Sequence, residues 1–536
     1  MMWGISKKNQ QPWLENQSGH LLYRARLWKV LLPMVMLVTV GYVECVSLPP
    51  HQLDICYFAL SQESIQHKKD RLIILADMGH DPDEEQQITH LLMTSNMFDL
   101  EGLIAVTGRF FRKNPPATVK ELNPHLFHRL IDGYAAIYPN LQMHATGWQS
   151  PEYLHSIVAN GQRGNGVSDI GPGKSTEGSR LIVEAVTKKD PRPLYIIVNS
   201  GSNTLAQALW DYRQSHSEEA LEAFVAKLRV FDNGGQDEAG AWICHEFPSI
   251  HWIRSHHQTR SYGGPSNQEV GPHTWHPYSY DPLGQHAWAR EHIQSNHGAL
   301  GALCPDRTVG SITHYIEGGG TIPWMSFVVP GLSDHSEPSW GGWSGRYSHK
   351  KVDNAPSAYA IVRVDEEPFY PLAAYVDHDE IIDRWFNPED GKWYEDKYTP
   401  VWRWRQAMWN DYAARMDWCI QEFSQANHHP HAVLNGSDGD EILKVTALPG
   451  EIIKLDATGS IDPDHDALRF SWWIYSEAGR SPYEKALKIE KSTSEVTALS
   501  IPEDAAEKEL HIILEVWDDN GIIPLVDYRR LVVYVE

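Results

Sequence analysis

The chain has 536 residues, more than one ordinary domain core accommodates, and therefore indicates at least two domains. It carries 46 Lys and Arg against 70 Asp and Glu, a formal net charge of −24, which argues against nucleic acids and anionic membranes as partners because both require clustered basic residues. Neutral or weakly charged partners are favoured, and the 21 tryptophans offer flat faces for sugar stacking as well as core volume.

Basic residues precede a short apolar run near the start of the chain. Arg24, Arg26 and Lys29 stand before residues 30–40, V-L-L-P-M-V-M-L-V-T-V. An apolar run of about 10–14 residues is too short for a clear membrane span and is typical of a signal-peptide core. We predict that residues 1–48 are a leader and that the protein is secreted. The segment before the apolar run is long for a signal peptide. The alternatives are a leader that is retained as a membrane anchor, or a start of translation that is assigned too far upstream.

A turn rich in carboxylates follows the first predicted strand. Residues 72–75, L-I-I-L, predict a short buried strand, and residues 85–97 predict an amphipathic helix. The turn between them contains Asp77, Asp81, Asp83, Glu84 and Glu85. Acidic residues favour a first helical turn, which accounts for residues 83–85 by helix-start chemistry alone. Asp77 and Asp81 precede the helix, so a hard cation such as calcium (Ca2+) that neutralises the cluster is the favoured hypothesis.

Strand and helix patterns alternate after this turn. The predicted strands are residues 72–76, 100–107, 193–198 and 227–232, and the predicted helices are 85–97, 121–138, 175–187, 204–214 and 239–246. Such alternation indicates βαβ units, so we predict an α/β fold with a Rossmann-like parallel sheet covered by helices on both faces. No G-x-G-x-x-G follows the first strand, so the pattern does not favour a dinucleotide site.

Oxygen-bearing side chains also follow two later strands. Residues 199–204, N-S-G-S-N-T, end one strand, where Ser202 or Asn203 is also a plausible helix cap. Residues 230–242, V-F-D-N-G-G-Q-D-E-A-G-A-W, end the next. Ligands of parallel α/β sheets sit at the carboxyl ends of the strands, so both turns join the first acidic turn as candidate site segments.

The remaining chain divides into an irregular segment, a helix and a β-rich region. Residues 260–321 show little periodicity and predict a binding loop or lid. Residues 398–426 predict a helix that packs on the core through Trp402, Met408, Tyr412 and Met416. Beyond about residue 430, seven short strands indicate an all-β sandwich, predicted at residues 442–445, 452–455, 468–475, 486–490, 495–500, 510–516 and 530–535.

Several segments of the chain, among them the two turns at residues 199–204 and 230–242, resemble the nucleoside hydrolase superfamily. Residues 77–86, D-M-G-H-D-P-D-E-E-Q, resemble the D-x-G-x-D-P-D-D-E-Q signature of the cellulose-binding branch of the nucleoside hydrolase superfamily, with Glu84 in place of an Asp. Residues 331–347 resemble that branch's block with two tryptophans between glycines, and residues 457–466 resemble a turn of PKD-type immunoglobulin-like modules. The resemblance implies a nucleoside hydrolase-like domain over residues 71–425 and an immunoglobulin-like sandwich over residues 428–536.

The resemblance also implies a role for individual residues. The implied Ca2+ ligands are Asp77, Asp83, Asn199 through its backbone carbonyl, and Asp334. Asp77 or Asp81 would accept the proton of the attacking water. The implied substrate-binding residues are Asp232, Asn233, Gln236, Asp237 and Glu337, with Trp340 and Trp343 stacking on a sugar at the rim of the site. Two tryptophans separated by glycines are also unusual core sequence, which favours the rim position.

Two functions therefore compete. The first is an exported, calcium-dependent hydrolase of glycosidic or N-glycosyl bonds that binds a plant-type polysaccharide such as cellulose, or a nucleoside-like substrate. The second is a non-catalytic polysaccharide-binding protein. The hydrolase hypothesis expects Asp77, Asp81 and Asp334 to meet around one ion beside a cleft.

Overall fold

The computed structural model describes residues 69–79, 82–108, 122–233, 237–255, 258–259, 287–309, 312–314, 317, 319–352, 376–388 and 391–536. These residues belong to one compact unit, His67–Glu536. The predicted leader lies outside the described residues. None of the described helices combines the length and the apolar character needed to cross a membrane.

A six-stranded parallel sheet forms the centre of the first region. Its strands are β1 (Arg71–Ala76), β2 (Asp99–Ala105), β3 (Val158–Asn160), β4 (Leu194–Val198), β5 (Leu228–Asn233) and β6 (His251–Ser255), in the order β3-β2-β1-β4-β5-β6. Every neighbouring pair is parallel. The winding direction reverses between β1 and β4, so the crevice beyond their carboxyl ends is the topological switch point, where such sheets bind ligands.

Helices cover both faces of this sheet. They are α1 (Asp83–Met93), α2 (Pro124–His144), α3 (Pro151–Ser156), α4 (Glu177–Thr187), α5 (Ser202–Ser215), α6 (Glu218–Ala226), α7 (Ala239–Glu246), α8 (Gly298–Leu303), α9 (Ile322–Met325), α10 (Thr399–Trp402) and α11 (Arg405–Asp417), together with a π-helical turn, Arg290–Gln294. Leu72 and Ile74 of β1 face one core, and Ile73 and Leu75 face the other. Burial on both faces explains why β1 is an uninterrupted apolar run, each side chain contributing about 1.5–3 kcal/mol.

Three hairpin-like pairs and a C-terminal β-rich region complete the fold. The pairs are β7 (Arg307–Val309) with β8 (Ile312–His314), β9 (Tyr347–Val352) with β10 (Val376–Glu380), and β11 (Asp383–Asn387) with β12 (Lys392–Asp396). The C-terminal strands are β13 (Leu443–Ala447), β14 (Ile452–Asp456), β15 (Leu468–Ile474), β16 (Val496–Ser500), β17 (Glu509–Asp518) and β18 (Val526–Val535). They form a four-stranded sheet, β13-β18-β17-β15, and an antiparallel pair, β14-β16.

The predicted α/β fold followed by a β-rich region is confirmed, with local differences. The strand predicted at residues 486–490 is represented only by an isolated bridge, Glu490 to Ala498. Two strands were not predicted from the sequence: β3, which has only three residues, and β6, which is buried although it contains His251, Arg254 and Ser255. Residues 260–286 of the predicted irregular segment lie outside the described residues, and its later part contains α8 and the β7–β8 pair. The domain boundaries and the immunoglobulin-like assignment stay predictions.

Candidate functional site at the carboxyl edge of the sheet

Asp77 and Ser200 meet at the switch point. Asp77 follows β1 directly, and Asn199 and Ser200 follow β4. The hydroxyl of Ser200 donates a hydrogen bond to Oδ1 of Asp77. Asp77 is 2% exposed, so it is buried at the carboxyl end of β1. This contact joins two of the three segments that the sequence predicted to share a site.

The first turn of α1 brings further carboxylates to the same edge. α1 begins at Asp83, and Pro82 before it provides no side-chain cap. Asp83 and Glu84 are both buried. One turn later, the amide oxygen of Gln87 accepts a hydrogen bond of 2.9 Å from Nδ2 of Asn199. The predicted metal ligands Asp83 and Asn199 therefore lie on adjacent segments of the edge, whereas Asp81 lies outside the described residues.

The ends of β5 and β6 contribute a buried ion pair. Nε of Arg254 lies 2.9 Å from Oδ2 of Asp232, and both residues are at most 2% exposed. Asp232 is thus neutralised by the neighbouring strand. Asn233 ends β5, and its Oδ1 lies 3.0 Å from the position that a Cβ on Gly319 would take. Gln236 lies outside the described residues.

Asp237 lies at the start of α7 and faces the start of α5. Its Oδ1 accepts hydrogen bonds from the hydroxyl of Ser202 and, at 2.9 Å, from the backbone N–H of Ala239. Burial, together with smaller effects of the nearby carboxylates of Glu238 and Asp232, raises the pKa of Asp237 to about 6. A carboxyl group in this state can exchange a proton near neutral pH.

Side chains at the starts of α5 and α7 bind the loop of residues 164–167. Nδ2 of Asn203 donates to the carbonyl of Gly164 at 3.1 Å, and Oε1 of Glu238 accepts from the backbone N–H of Val167 at 2.9 Å. Within the described part of the chain, no hydrogen-bond partner faces Asn165 Oδ1, Asn203 Oδ1, Asp237 Oδ2 or Glu238 Oε2. Acceptors of this kind suit a ligand that brings hydroxyl donors or positive charge.

Glu317 is a carboxylate late in the chain that lies at this end of the sheet and was not predicted from the sequence. It is fully buried, with Oε1 2.8 Å from Nδ1 of His90 and 2.9 Å from the hydroxyl of Thr321. A Cβ on Gly320 would lie 2.2 Å from both Asn199 Nδ2 and Gln87 Oε1, so this segment packs tightly against the site. The only signal in the sequence was a lone Glu before three glycines.

Asp334 does not lie near Asp77, so the prediction that both residues bind the same calcium ion is wrong. It lines a small cavity with residues near the amino ends of three strands, Tyr195, Arg229 and His251. Its neighbour His335 lies 3.8 Å from Asp70, which precedes β1. A six-residue strand such as β1 spans about 20 Å. Asp334 and Asp77 therefore lie at opposite ends of the strands.

Trp340 and Trp343 do not form a sugar-stacking rim, which corrects a second prediction. They are 2% and 0% exposed. Both nitrogens of the Arg530 guanidinium fork donate at 2.8 Å to the backbone carbonyls of Trp340 and Gly341. Gly341 has φ of +74°, and a Cβ there would lie 2.6 Å from the hydroxyl of Tyr475. Gly341 therefore permits close packing between the α/β region and the C-terminal β-rich region.

Glu337 belongs to the same contact between regions. Its Oε2 accepts from Nε of Arg480 at 2.9 Å. Glu337 also lines the cavity that contains Asp334, near the amino ends of the strands, so the position predicted for Glu337 beside a substrate at the carboxyl ends is wrong.

The donor chemistry of the carboxyl edge fits a hard cation, since every candidate ligand is an oxygen. Asp77, Asp83 and the carbonyl of Asn199 come from three adjacent segments. Among the described residues, however, no three His, Cys, Asp or Glu side chains are grouped so as to hold a metal ion. The calcium site therefore stays a prediction.

This combination of a doubly wound sheet and an acidic edge at its switch point defines a nucleoside hydrolase-like α/β protein. Residues 71–347 match the family described as cellulose-binding Sde182, nucleoside hydrolase-like domain, and residues 452–535 match the cellulose-binding protein Sde0182, C-terminal domain. The chain belongs to this cellulose-binding family, as the sequence resemblance predicted.

A solved structure supports the same placement. It is a nucleoside hydrolase-related hypothetical protein from Saccharophagus degradans that is associated with carbohydrate metabolism. The two chains are 35% identical, and the match covers 87% of this chain and 100% of the other with a TM-score of 0.71. A search of curated proteins found no match. Association with carbohydrate is thus supported at the level of the family.

Proposed function

We propose that the protein is an exported polysaccharide-binding hydrolase that cleaves an O- or N-glycosyl bond at the carboxyl edge of its sheet. The observation that carries the proposal is the set of buried acceptor oxygens on Asn165, Asn203, Asp237 and Glu238, on segments that follow the carboxyl ends of the strands, as Asp77 does. Sugar hydroxyls are donors that satisfy such acceptors. Membership of a cellulose-binding family supports a carbohydrate as the partner.

Asp77 is the proposed general base. Its Oδ1 accepts from Ser200, which orients the carboxylate. In the proposed reaction this carboxylate takes the proton of a water that attacks the anomeric carbon. The surrounding carboxylates stabilise the positive charge that develops on the sugar. Attack by a single water inverts the anomeric configuration. Calcium, when bound by Asp77, Asp83 and the Asn199 carbonyl, would supply positive charge that grips sugar hydroxyls.

The test compares Asp77→Asn with the wild type on p-nitrophenyl furanosides and nucleosides, with and without EDTA. We expect turnover to fall by about 100-fold or more, because a general base typically contributes 10²–10⁴-fold. Binding to insoluble cellulose should persist. Asp132→Asn, at an exposed position on α2, is the matched control. Unchanged turnover in Asp77→Asn would refute the assignment.

Non-catalytic polysaccharide binding is the second candidate. It is favoured by the position of Asp334 at the opposite edge and by the burial of Asp77. In that case the purified wild type would bind cellulose but hydrolyse none of the substrates at any calcium concentration. Metal analysis of the same sample separates the two candidates further, since the hydrolase proposal expects bound calcium.

Export is a separate part of the proposal and rests on the apolar run at residues 30–40. A cleaved leader would give a secreted protein with a new amino terminus near residue 48, whereas a retained leader would anchor it in the membrane. Fractionation of expressing cells and amino-terminal sequencing distinguish these outcomes. Full-length protein in the soluble cytoplasmic fraction would contradict export.

A further inference from the structure

The outer face of the β11–β12 hairpin exposes an aromatic pair. Phe386 and Trp393 are directly opposite each other in the antiparallel register, so their side chains share a face. Trp393 is 60% exposed and Phe386 is 44% exposed, and no other tryptophan among the described residues is as accessible. Their ring centroids lie 5.5 Å apart.

The inner face of the same hairpin is anchored. Trp385 and Tyr394 alternate with the outer pair and pack against the fully buried Trp402 of α10. Asp396, at the end of β12, accepts hydrogen bonds from the backbone N–H groups of Tyr398 and Thr399 at 2.9 and 2.8 Å. A two-stranded hairpin is marginal alone, so these inner contacts hold it, and the outer rings are not needed for that purpose.

Polar side chains flank the outer rings. Arg384 lies two residues before Phe386, with its guanidinium carbon 4.5 Å from the centre of the Trp393 ring. Its Nε lies 3.8 Å from a carboxylate oxygen of Glu395, which is opposite it in the register. The face thus combines aromatic surface with one donor group and one acceptor group whose charges cancel. An apolar face flanked in this way suits an uncharged ligand with C–H faces and hydroxyls.

We propose that this face, formed by Arg384, Phe386, Trp393 and Glu395, is a platform that binds a neutral β-linked glucan chain. Phe386 and Trp393 contact the sugar rings, and Arg384 and Glu395 hydrogen-bond the hydroxyls. The formal charge of −24 disfavours acidic polymers as the occupant. The inference rests on the carbohydrate-binding part of the proposed function and is independent of catalysis.

The hairpin follows closely in sequence after Glu380, whose side chain is bonded at the end of β6. Glu380 accepts from the hydroxyl of Ser255, at the end of β6, at 2.5 Å, and from the backbone N–H of Gln258 at 2.7 Å. Two residues separate Glu380 from Asp383, where β11 begins. The hairpin therefore begins shortly after a side chain that is anchored at the end of β6.

The experiment measures depletion of full-length protein by microcrystalline cellulose and migration in gels containing a soluble β-glucan. We expect Trp393→Ala and Phe386→Ala each to weaken binding about tenfold, which corresponds to about 1.4 kcal/mol, and the double variant to bind more weakly than either. Trp393→Phe should retain part of the affinity. Tyr153→Ala, at an exposed aromatic on α3, should bind as the wild type does.

Thermal melting of each variant checks that the fold persists, since the changed side chains are exposed. Turnover of p-nitrophenyl substrates, if the wild type shows it, should not change in the double variant. A wild type that binds glucan together with a double variant that binds equally well would overturn the platform alone. A wild type that binds no polysaccharide would overturn the platform and the proposed function together. A double variant that loses only self-association in light scattering would identify a contact between copies and overturn the platform.

Discussion

At the residue scale, the buried carboxyl group of Asp237 reports on the electrostatics of the site. It is 2% exposed, and burial raises its pKa to about 6 from a usual value near 3.8. The folded state therefore binds the proton more tightly than the unfolded chain. The stability that this group contributes is present below the unfolded pKa and is lost as the pH rises through about 6.

The variant Asp237→Asn tests this reasoning. An amide keeps the oxygen that accepts from Ser202 and Ala239 but carries no charge. In EDTA, we expect the free energy of unfolding of the variant to exceed that of the wild type at pH 7 by up to about 3 kcal/mol, with the gain shrinking towards pH 4. Urea unfolding at both pH values measures it, with Asp132→Asn as control. A difference between variant and wild type that does not change with pH would contradict the shift.

At the element scale, the end of helix α2 is coupled to the C-terminal region through histidines. Nδ1 of His144, the last residue of α2, lies 2.9 Å from Nε2 of His428, and its Nε2 lies 2.9 Å from the carbonyl of Gln421. His428 Nδ1 in turn lies 3.0 Å from Asp464. Burial lowers the pKa of His144, so the folded state favours its neutral form. The stability from this group is present above the unfolded pKa, about 6.5, and is lost as the pH falls through the lower folded pKa.

Replacing His144 should remove part of this acid sensitivity. We expect His144→Gln to lose less stability than the wild type between pH 7 and pH 5, because glutamine retains a donor for Gln421 without a titratable ring. Urea midpoints at the two pH values are the measurement. His245→Gln, at a 60% exposed position, should follow the wild type. Equal pH dependence of His144→Gln and wild type would show that the ring does not contribute.

At the scale of the whole molecule, Arg530 joins the α/β region to the C-terminal β-rich region. It is fully buried on β18 and lies against the rings of Trp340 and Tyr475, with its carbon 5.9 and 5.8 Å from their centres. Burial lowers the pKa of Arg530 to about 9, so the charge is retained at neutral pH. Arg530, in the C-terminal region, donates hydrogen bonds to the backbone carbonyls of Trp340 and Gly341, which belong to the α/β region.

We expect Arg530→Met to lower the free energy of unfolding by about 2–5 kcal/mol, because two buried carbonyls lose their donors. Urea unfolding measures the loss, and limited proteolysis between residues 420 and 440 should become faster as the regions separate. Arg469→Met, at a position with a 56% exposed side chain, is the control. An unchanged midpoint would mean that the contact contributes little to joining the regions. Cellulose binding through the β11–β12 hairpin should persist.

Local sequence patterns were sufficient for the fold class and for the position of some of the candidate residues. The apolar run before Asp77 and the alternation of elements place Asp77, Asp83 and Asn199 at one edge, since the carboxyl ends of parallel strands lie together. The same patterns could not locate Asp334 or Glu317, because both follow long connections whose path along the sheet is not encoded by periodicity. The assignment of Asp237 and Asp232 to the edge followed from the same rule as Asp77.

The sequence by itself determined the doubly wound sheet, the β-rich C-terminal region and the acidic turn after β1, because these depend on hydrophobic periodicity and on residues close in the chain. Only the tertiary structure decided which aromatics are available to a sugar. Trp340 and Trp343 are buried by partners nearly 190 residues away, among them Arg530, whereas Trp393 is exposed because its strand neighbours Trp385 and Tyr394 occupy the inner face. Exposure depends on packing between distant segments, and local spacing does not record it.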